Sequence, residues 1–444
     1  MVDWYARVAA AFGHGAEVVE RPLGFSEDCL YLNVWSPRLE PGADLPVMVF
    51  VHGGSNSGGW SYEPNYLGMN LAGRGAVVVT VTYRLGPFGF FSHPALAADQ
   101  HEAQANFALL DLRAAFDWVH DHIAAFGGDP QNITAFGESA GALNLVDLML
   151  QDADAGRGNQ SLFRRLISQS LGGSLDDRQT LAMDRERGEK LIAAVGLPGD
   201  SSAEELRRIP ADDLLEAVKS LPADDYHDAV IDGVTLSATP LVMAQRADLS
   251  GLQIILGSNA DEWLMYIDEA AGQNELDAWF ANNAPDQRGA LLNAVGDPGD
   301  VRRTLDRLET AKSMSCPSRY LASMINARGG RAHVYFFSRQ RGGQGGTALG
   351  AYHGAELPYV FDRHDDWMPV AAEDRALTDL VQDYWLQFAI EGSPEPEGRP
   401  NWPPYAPGKV SVMRLDTPAG LMPVEAGTLC ALLETGTEYA NGDE

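Results

Sequence analysis

Short apolar runs alternate with amphipathic segments along the chain, and this pattern predicts the main elements of the fold. An uninterrupted apolar run is typical of a parallel strand covered on both faces, whereas apolar residues at helical spacing indicate a helix with one buried side. The predicted buried strands lie at 46–51, 77–83, 133–136, 253–257 and 332–338, and clear helices lie at 107–126, 142–150 and 377–390. Strands that alternate with helices predict an α/β fold with a mainly parallel central sheet and helices on both faces.

Two stretches of polar helices interrupt this alternation, at about 151–250 and 270–330. No repeat or low-complexity segment accompanies them, and no stretch has the composition of an interdomain linker. We therefore expect a single domain over residues 1–444, with the two helical insertions capping the site that the sheet carries.

One predicted strand is followed by a sharp turn and then by a helix. The strand at 133–136 leads into Gly137-Glu138-Ser139-Ala140-Gly141, a G-x-S-x-G sequence, and the helix at 142–150 follows directly. Strand, turn and helix in this order are the context of a nucleophile elbow, in which a strained turn exposes the central serine. Small neighbours let the backbone fold back on itself, so the two glycines suit the turn. Ser139 is therefore the candidate nucleophile.

The composition limits the partners that the protein can have. Hydrophobic residues make up 45% of the chain and charged residues 21%, which is typical of a globular protein with a substantial core. The formal net charge is −30 at pH 7. Nucleic acids and anionic membranes would repel such a protein, so neither is an expected partner.

The sequence also bears on the cellular compartment. No apolar run reaches the roughly 18 residues that a membrane span needs, and the N-terminus lacks a basic region followed by an apolar stretch. The cysteines are few and odd in number, namely Cys29, Cys316 and Cys430. We therefore expect a reducing, cytoplasmic location with no disulfide framework. The oligomeric state cannot be inferred from the sequence.

A serine nucleophile needs a histidine as general base, and the histidine in turn needs an orienting acid. In α/β folds with an elbow serine, the order along the chain is serine, acid, histidine. His353 follows a glycine-rich loop directly after the last core strand, where a sheet delivers side chains to its carboxyl edge. His333 lies within that strand, where a structural role is expected. His364 lies in a charged turn, where we expect it to be solvated. We therefore favour His353 as the base.

The candidate acids follow the strand at 253–257, which delivers Asp261 and Glu262 to the same edge. The spacing alone does not decide between the two carboxylates. Backbone donors for the developing oxyanion are expected after the nucleophile, at Ala140, and in the loop after the strand at 46–51. That loop reads His52-Gly53-Gly54-Ser55 and fits the HGGG-type description of such loops.

Several segments together resemble type B carboxylesterases, the cholinesterase-like α/β-hydrolases. The resemblance runs from about Ser26 to Tyr405, in the right order, and covers nearly the whole chain. It is carried by SEDCLYLNVWSP, VMVFVHGG, VVVTVTYRLGPFGFF, LLDLRAAFDWVHDHIAAFGGDPQNITAFGESAGA, GSNADE, HGAELPYVF and NWPPY. The resemblance implies the α/β-hydrolase fold and hydrolysis of small-molecule carboxylic esters, with no metal or organic cofactor.

The resemblance also implies roles for individual residues. Ser139 corresponds to the nucleophile, Glu262 of the G-x-x-x-D-E pattern to the acid, and His353 of the H-G-x-E pattern to the base. The resemblance thus favours Glu262 over Asp261.

The same comparison with the family implies the supporting groups of the site. The oxyanion donors would be the N–H groups of Gly54, Ser55 and Ala140. Glu138 would be a carboxylate close to the histidine.

The chain departs from the family in ways that suggest a different site entrance. Ser55 stands at the third glycine of the loop and Asn56 at a usual aromatic, so we expect a more polar rim. The segment before Ser26 is short relative to the family, so we expect a wide, solvent-reachable site that accepts bulky esters. The customary disulfide partner of Cys29 belongs to the shortened segment, so Cys29 is expected to be a free thiol.

Two other interpretations are weighed against an esterase. An amidase, a lactonase or a carbamate hydrolase could use the same triad, because leaving-group preference depends on pocket shape. A non-catalytic cholinesterase-like adhesion domain is a different class, but such proteins have usually lost the serine and are secreted and tethered to membranes. The sequence therefore favours a serine carboxylesterase with a covalent acyl-enzyme intermediate.

Overall fold

A computed structural model describes residues 1–98, 105–221, 227–296, 300–422 and 427–434 of the protein. The strands are β1 (Leu32–Trp35), β2 (Leu45–Val51), β3 (Val77–Val81), β4 (Gly128–Glu138), β5 (Arg165–Gln169), β6 (Gln253–Asn259), β7 (Arg331–Phe337), β8 (Val412–Leu415) and β9 (Gly420–Met422). The helices are α1 (Val2–Ala11), α2 (Met69–Gly73), α3 (Phe107–His122), α4 (Ala140–Asp154), α5 (Leu181–Ala194), α6 (Ala203–Leu206), α7 (Ala211–Val218), α8 (Pro240–Arg246), α9 (Gln273–Asn283), α10 (Arg288–Val295), α11 (Val301–Thr310), α12 (Cys316–Ala327), α13 (Gly343–Leu349), α14 (Leu357–Val360), α15 (Ala372–Glu391) and α16 (Gly427–Glu434).

The strands form one sheet in the order β1-β3-β2-β4-β5-β6-β7-β8-β9. The pairs from β3 through β8 are parallel, and the two outermost pairs, β1 with β3 and β8 with β9, are antiparallel. This confirms the predicted α/β fold with a mainly parallel sheet. The apolar pattern did not reveal β5, β8 or β9. Polar side chains interrupt β5 and β8, and β9 has only three residues.

Alternate residues of the central strands enter two different apolar layers. In β2, Val47 and Val49 belong to the layer that includes residues of α3 and α4. Met48 and Phe50 belong to the layer on the other side, together with residues of α15. Side chains alternate between the faces of a strand, so a strand buried on both faces needs apolar residues at every position. The uninterrupted apolar runs in the sequence have this origin.

A disulfide bond joins Cys316, at the start of α12, to Cys430 in α16. The expectation of a protein without disulfides was therefore wrong. Cys29 is a free thiol, as predicted. The pairing closes a loop with a sequence separation of 114 residues, and spacing in the sequence could not predict so distant a contact.

Among the described residues, no helix is both long enough and apolar enough to cross a membrane.

Candidate active site

Ser139 lies at the turn between β4 and α4, with φ 55° and ψ −127°. A positive φ is costly for a residue other than glycine, so surrounding contacts must hold the turn. The Ser139 N–H donates to the carbonyl oxygen of Gln169 (2.9 Å), and the Ser139 carbonyl accepts from the Leu143 N–H (3.0 Å). A side chain on Gly141 would overlap the carbonyl oxygen of Val51. Glycine at that position therefore allows the turn to sit directly against β2.

Glu262 and His353 meet beyond the carboxyl ends of β6 and β7. The Nδ1 atom of His353 lies 2.6 Å from Oε2 of Glu262, at hydrogen-bond distance. The other oxygen of Glu262 accepts hydrogen bonds from the Ser170 hydroxyl (2.7 Å) and the Asn259 N–H (2.6 Å). The carboxylate is buried, with 1% of the residue exposed. Its partners therefore fix one orientation of the carboxylate and, through it, of the imidazole ring.

Asp261 contacts the loop that carries the histidine rather than the imidazole itself. Its Oδ2 accepts from the Ala351 N–H (2.7 Å), and its own N–H donates to the Ala351 carbonyl (3.0 Å). This pairing forms an isolated parallel bridge between Asp261 and Tyr352. A side chain on Gly350 would overlap the Asp261 carboxylate. The two neighbouring acids thus lie in different places: Glu262 beside the ring and Asp261 against the backbone two residues before it.

Glu138 lies on the other side of the imidazole, with its Oε1 3.1 Å from His353 Nε2. This is an ion-pair distance, but Glu138 Oε1 has no hydrogen-bond partner of acceptable geometry. Burial raises the pKa of Glu138, and the positive charge of a protonated His353 opposes this rise. Burial alone would lower the pKa of His353, but the charges of Glu138 and Glu262 outweigh it and raise that pKa well above 6.5. His353 and Glu138 therefore hold a shared proton more tightly than a free imidazole does.

Gly54 and Ser55 form part of the cavity wall beside Ser139. Among the described residues, none accepts a hydrogen bond from the N–H groups of Gly54 or Ser55. Ala140 is the first residue of α4, where backbone N–H groups have no acceptor within the helix. A side chain on Gly53 would come within 2.9 Å of Ser139 Cβ, so this loop packs tightly against the serine. Gly54 and Ser55 therefore lie at the cavity beside Ser139, and Ala140 follows the serine directly in the chain.

Asn56 does not make the rim polar, and that expectation was wrong. Asn56 is fully buried and its side chain does not line the cavity. Its amide donates to Asp228 Oδ1 (2.9 Å), and its oxygen accepts from the Asn144 amide (2.9 Å). Asn56 thus anchors the loop from behind.

The cavity around Ser139 has a volume of about 200 Å³, which is narrower than the wide site expected from the sequence. Its acceptance of bulky esters stays a prediction. One side of the cavity is closed by Met1 and by Trp4, Tyr5 and Val8 of the first helix, α1. The remaining wall comes mainly from the segments around His353 and Trp367. No described residue of 151–250 or 270–330 lines the cavity, so the capping role of these insertions stays a prediction.

The other two candidate histidines lie away from the cavity. His333 is fully buried in β7, and burial lowers its pKa to about 4. This agrees with the structural role expected of it. His364 is half-buried and hydrogen-bonded to Arg341 (2.8 Å) and Thr378 (2.9 Å). The expectation that it is simply solvated was wrong.

A buried network that no local sequence pattern indicated supports the acid. Asn259 and Gln169 donate to the two oxygens of Glu356, at 2.6 and 2.9 Å. Ser170 follows Gln169 at the end of β5 and donates to Glu262. Glu356 belongs to the H-G-x-E pattern and could have been singled out from the sequence. The other three could not, since β5 was not predicted and polar residues at a strand end have no signature of their own.

The chain is similar to known esterases in both sequence and structure. The model of the carboxylesterase family matches residues 9–426. The fumonisin B1 esterase of Sphingopyxis macrogoltabida is 31% identical over 416 residues, 87% of this chain and 72% of the relative. The para-nitrobenzyl esterase of Bacillus subtilis (strain 168) is 31% identical over 398 residues, 86% of this chain and 77% of the relative. A crystal structure of a carboxylesterase from Geobacillus stearothermophilus has a TM-score of 0.81 at 30% identity and covers 94% of this chain and 88% of that chain.

Proposed function

This chain belongs to the carboxylesterase family and hydrolyses carboxylic esters, and we propose that it does so through Ser139, His353 and Glu262. The observation that carries the proposal is the 2.6 Å contact between His353 and Glu262 beside the serine of a strained elbow. A buried, oriented imidazole next to an elbow serine is what nucleophilic attack on an ester carbonyl requires.

In the proposed reaction, Ser139 Oγ attacks the ester carbonyl carbon while its proton passes to Nε2 of His353. The tetrahedral intermediate then collapses as the C–O bond of the ester breaks, and the imidazolium gives its proton to the departing alcohol. The acyl group remains on Ser139. A water molecule attacks the acyl-enzyme with the same histidine as base, and the carboxylic acid leaves.

The negative charge that develops on the carbonyl oxygen is stabilised, in this proposal, by the N–H groups of Gly54, Ser55 and Ala140. One such donor is typically worth about 10²–10³ in turnover. Gly54 and Ser55 have positive φ angles, 108° and 51°. A proline at position 55 would therefore distort the loop as well as remove an N–H, because proline requires a φ near −65°.

Glu138 acts on the base in this proposal and not on the substrate. It lies 3.1 Å from Nε2, the nitrogen that carries the proton in the transition state. A negative charge there stabilises the imidazolium, and its removal would make His353 a weaker base.

The test is Ser139→Ala, with Ser57→Ala as the matched control. Ser57 is an exposed serine of the neighbouring loop, and its side chain bonds only to the Ser55 carbonyl (3.0 Å). We expect Ser139→Ala to remain folded and to lose turnover by a factor on the order of 10⁶, whereas the control stays active. Activity against p-nitrophenyl esters and the matching p-nitroanilides should be measured together, since the ratio separates an esterase from an amidase. If folded Ser139→Ala keeps a tenth of the wild-type activity, the nucleophile is misassigned.

A further inference from the structure

Two hydrogen-bond acceptors in the cavity wall have no donor. Asn65 and Asp365 both line the cavity that contains Ser139, and both also border a small recess behind it. Asn65 is 6% exposed, yet its Oδ1 has no hydrogen-bond partner. Among the described residues, none donates a hydrogen bond to the Asp365 carboxylate or forms an ion pair with it. Buried polar atoms are nearly always paired, so the unpaired Asn65 Oδ1 indicates a partner supplied by the ligand. The Asp365 carboxylate is only partly buried, so it is hydrated when no ligand is bound and can exchange that water for a ligand donor.

The orientation of the Asn65 amide is determined by its neighbours. The Tyr5 hydroxyl donates its proton to Glu63 Oε2 (2.8 Å), and the phenol oxygen accepts from Asn65 Nδ2 (3.4 Å). The amide therefore presents its NH₂ group to Tyr5, which leaves Oδ1 as an acceptor. Asn65 Oδ1 can therefore pair only with a hydrogen-bond donor.

We propose that Asn65 Oδ1 and the Asp365 carboxylate form an acceptor subsite that selects esters carrying a hydrogen-bond donor, either a hydroxyl or an ammonium group. The inference rests on the proposed function of Ser139, since it concerns the part of the substrate that lies away from the reacting carbonyl. An ester with a methyl group at this place leaves Asn65 Oδ1 unpaired and displaces water from Asp365. A hydroxyl can donate to one of the two acceptors, and an ammonium group can donate to both.

The charge of the subsite is compatible with both kinds of donor. Burial raises the pKa of Asp365 to about 6, against the opposing influence of Arg341. The carboxylate is therefore mostly ionised above pH 7 and can bind either a hydroxyl or an ammonium group. Among the described residues, no lysine or arginine lines the cavity, so the cationic groups in its wall are His353 and the N-terminal amine of Met1.

The test uses esters of equal shape that differ in one terminal group. On the acyl side, ethyl butanoate, ethyl 3-hydroxypropanoate and ethyl 3-aminopropanoate end in methyl, hydroxyl and ammonium. On the alcohol side, propyl acetate is compared with 2-hydroxyethyl acetate. Each kcat/KM is divided by the rate of alkaline hydrolysis of the same ester, because the polar groups also make the carbonyl more reactive. In at least one series, we expect the wild type to favour a donor-bearing ester by about tenfold or more.

Substitutions in the subsite separate the two donors. Asn65→Leu and Asp365→Ala should each bring the ratio of corrected kcat/KM values, donor-bearing ester over methyl ester, closer to unity. Asp365→Asn keeps an acceptor oxygen but loses the charge, so it should reduce the preference for ammonium more than that for hydroxyl. Asp366→Asn is the control, since Asp366 is exposed and does not line the cavity. Melting temperatures identify any variant that fails to fold. Because Asn65 and Asp365 are substituted in separate variants, a misfolded variant at one position leaves the other position as a test.

The deciding measurement is the ratio of corrected kcat/KM values between matched esters. A wild-type preference below twofold in both series would overturn the proposal. So would a preference that survives both Asn65→Leu and Asp365→Ala, or an equal loss of rate toward all esters. Failure of the proposed nucleophile is a separate result, because it would appear as activity in Ser139→Ala whatever the ester.

Discussion

At the scale of single residues, the site depends on neighbouring side chains with different tasks. Asp261 and Glu262 are adjacent in the sequence and chemically alike. Glu262 reaches the imidazole, whereas Asp261 accepts a hydrogen bond from the backbone of the loop that carries it. The chain bends directly after the bridge at Asp261, and one acid faces the ring while the other faces the neighbouring chain.

This difference predicts unequal effects of two matched substitutions. Glu262→Gln should lower kcat by about 10⁴, in line with other triads in which the carboxylate becomes an amide. Asp261→Asn keeps an oxygen that can accept from the Ala351 N–H, so it should lower kcat by less than about tenfold. Steady-state kinetics on one p-nitrophenyl ester, with melting curves for both variants, decide the matter. The reverse ranking would assign the acid to Asp261.

A second prediction concerns the pH profile and Glu138. His353 must be neutral to act as a base, so kcat/KM falls as the pH drops through its pKa. The carboxylates of Glu138 and Glu262 raise that pKa well above 6.5. The acidic limb of the profile, where kcat/KM falls as the pH decreases, should therefore have its midpoint above pH 6.5. Glu138→Gln removes one negative neighbour and should move the limb to lower pH. Asp261→Asn is the control, and its limb should stay in place. A limb that moves upward in Glu138→Gln would contradict the proposed influence of Glu138.

Residues in a recognisable local motif could be predicted from the sequence, whereas residues that act through tertiary contacts could not. Ser139 stands in a short motif whose strand and helix could be predicted. Ser170 and Asn259 hold the acid from neighbouring strand ends, and nothing in their local sequence distinguishes them from other polar residues. Asn56 illustrates the same limit, because its burial depends on Asn144 and Asp228, far away in the chain.

At the scale of elements, α1 has the largest influence on the shape of the site. Because the segment before Ser26 is short, we expected the site to lack part of its wall. Instead, α1 supplies Trp4 and Tyr5 to the cavity. Tyr5 is held there by its hydrogen bond to Glu63. A helix of ten residues has no motif that reveals where it docks, so only the structure could place it.

The disulfide between α12 and α16 gives a prediction about stability. In the chain-entropy model a closed loop of roughly this length is worth about 4–5 kcal/mol of unfolding free energy, and measured values are often lower. Cys430→Ser should therefore melt at a lower temperature than the wild type. Reductant should lower the melting temperature of the wild type but leave that of Cys430→Ser unchanged.

Thiol counting provides the control for this prediction. The unfolded wild type should react with one equivalent of thiol reagent at Cys29 before reduction and with three after it. Cys29→Ser should melt like the wild type. Three reactive thiols in the untreated protein would contradict the disulfide.

At the scale of the whole molecule, the sheet explains why the fold was more predictable than the site. Each central strand is buried on both faces, and such a strand needs an uninterrupted apolar run that can be recognised in the sequence. The order of the strands brings the carboxyl ends of β4, β6 and β7 to one edge, so the positions of Ser139, Glu262 and His353 follow from general rules for parallel sheets. The size of the cavity does not follow from those rules, because it depends on how α1 and the segment around Trp367 pack.

The bridge between the loops of Asp261 and Tyr352 also has a consequence for how the enzyme assembles in time. Glu262 and His353 are separated by 91 positions in the chain, and several helices lie between them. Contacts between distant residues form slowly, because a long loop must close before they contribute. The two loops can align only once β6 and β7 have paired over their full length. During refolding, helical structure should therefore return earlier than esterase activity, and the delay between the two signals reports when this last pairing is completed.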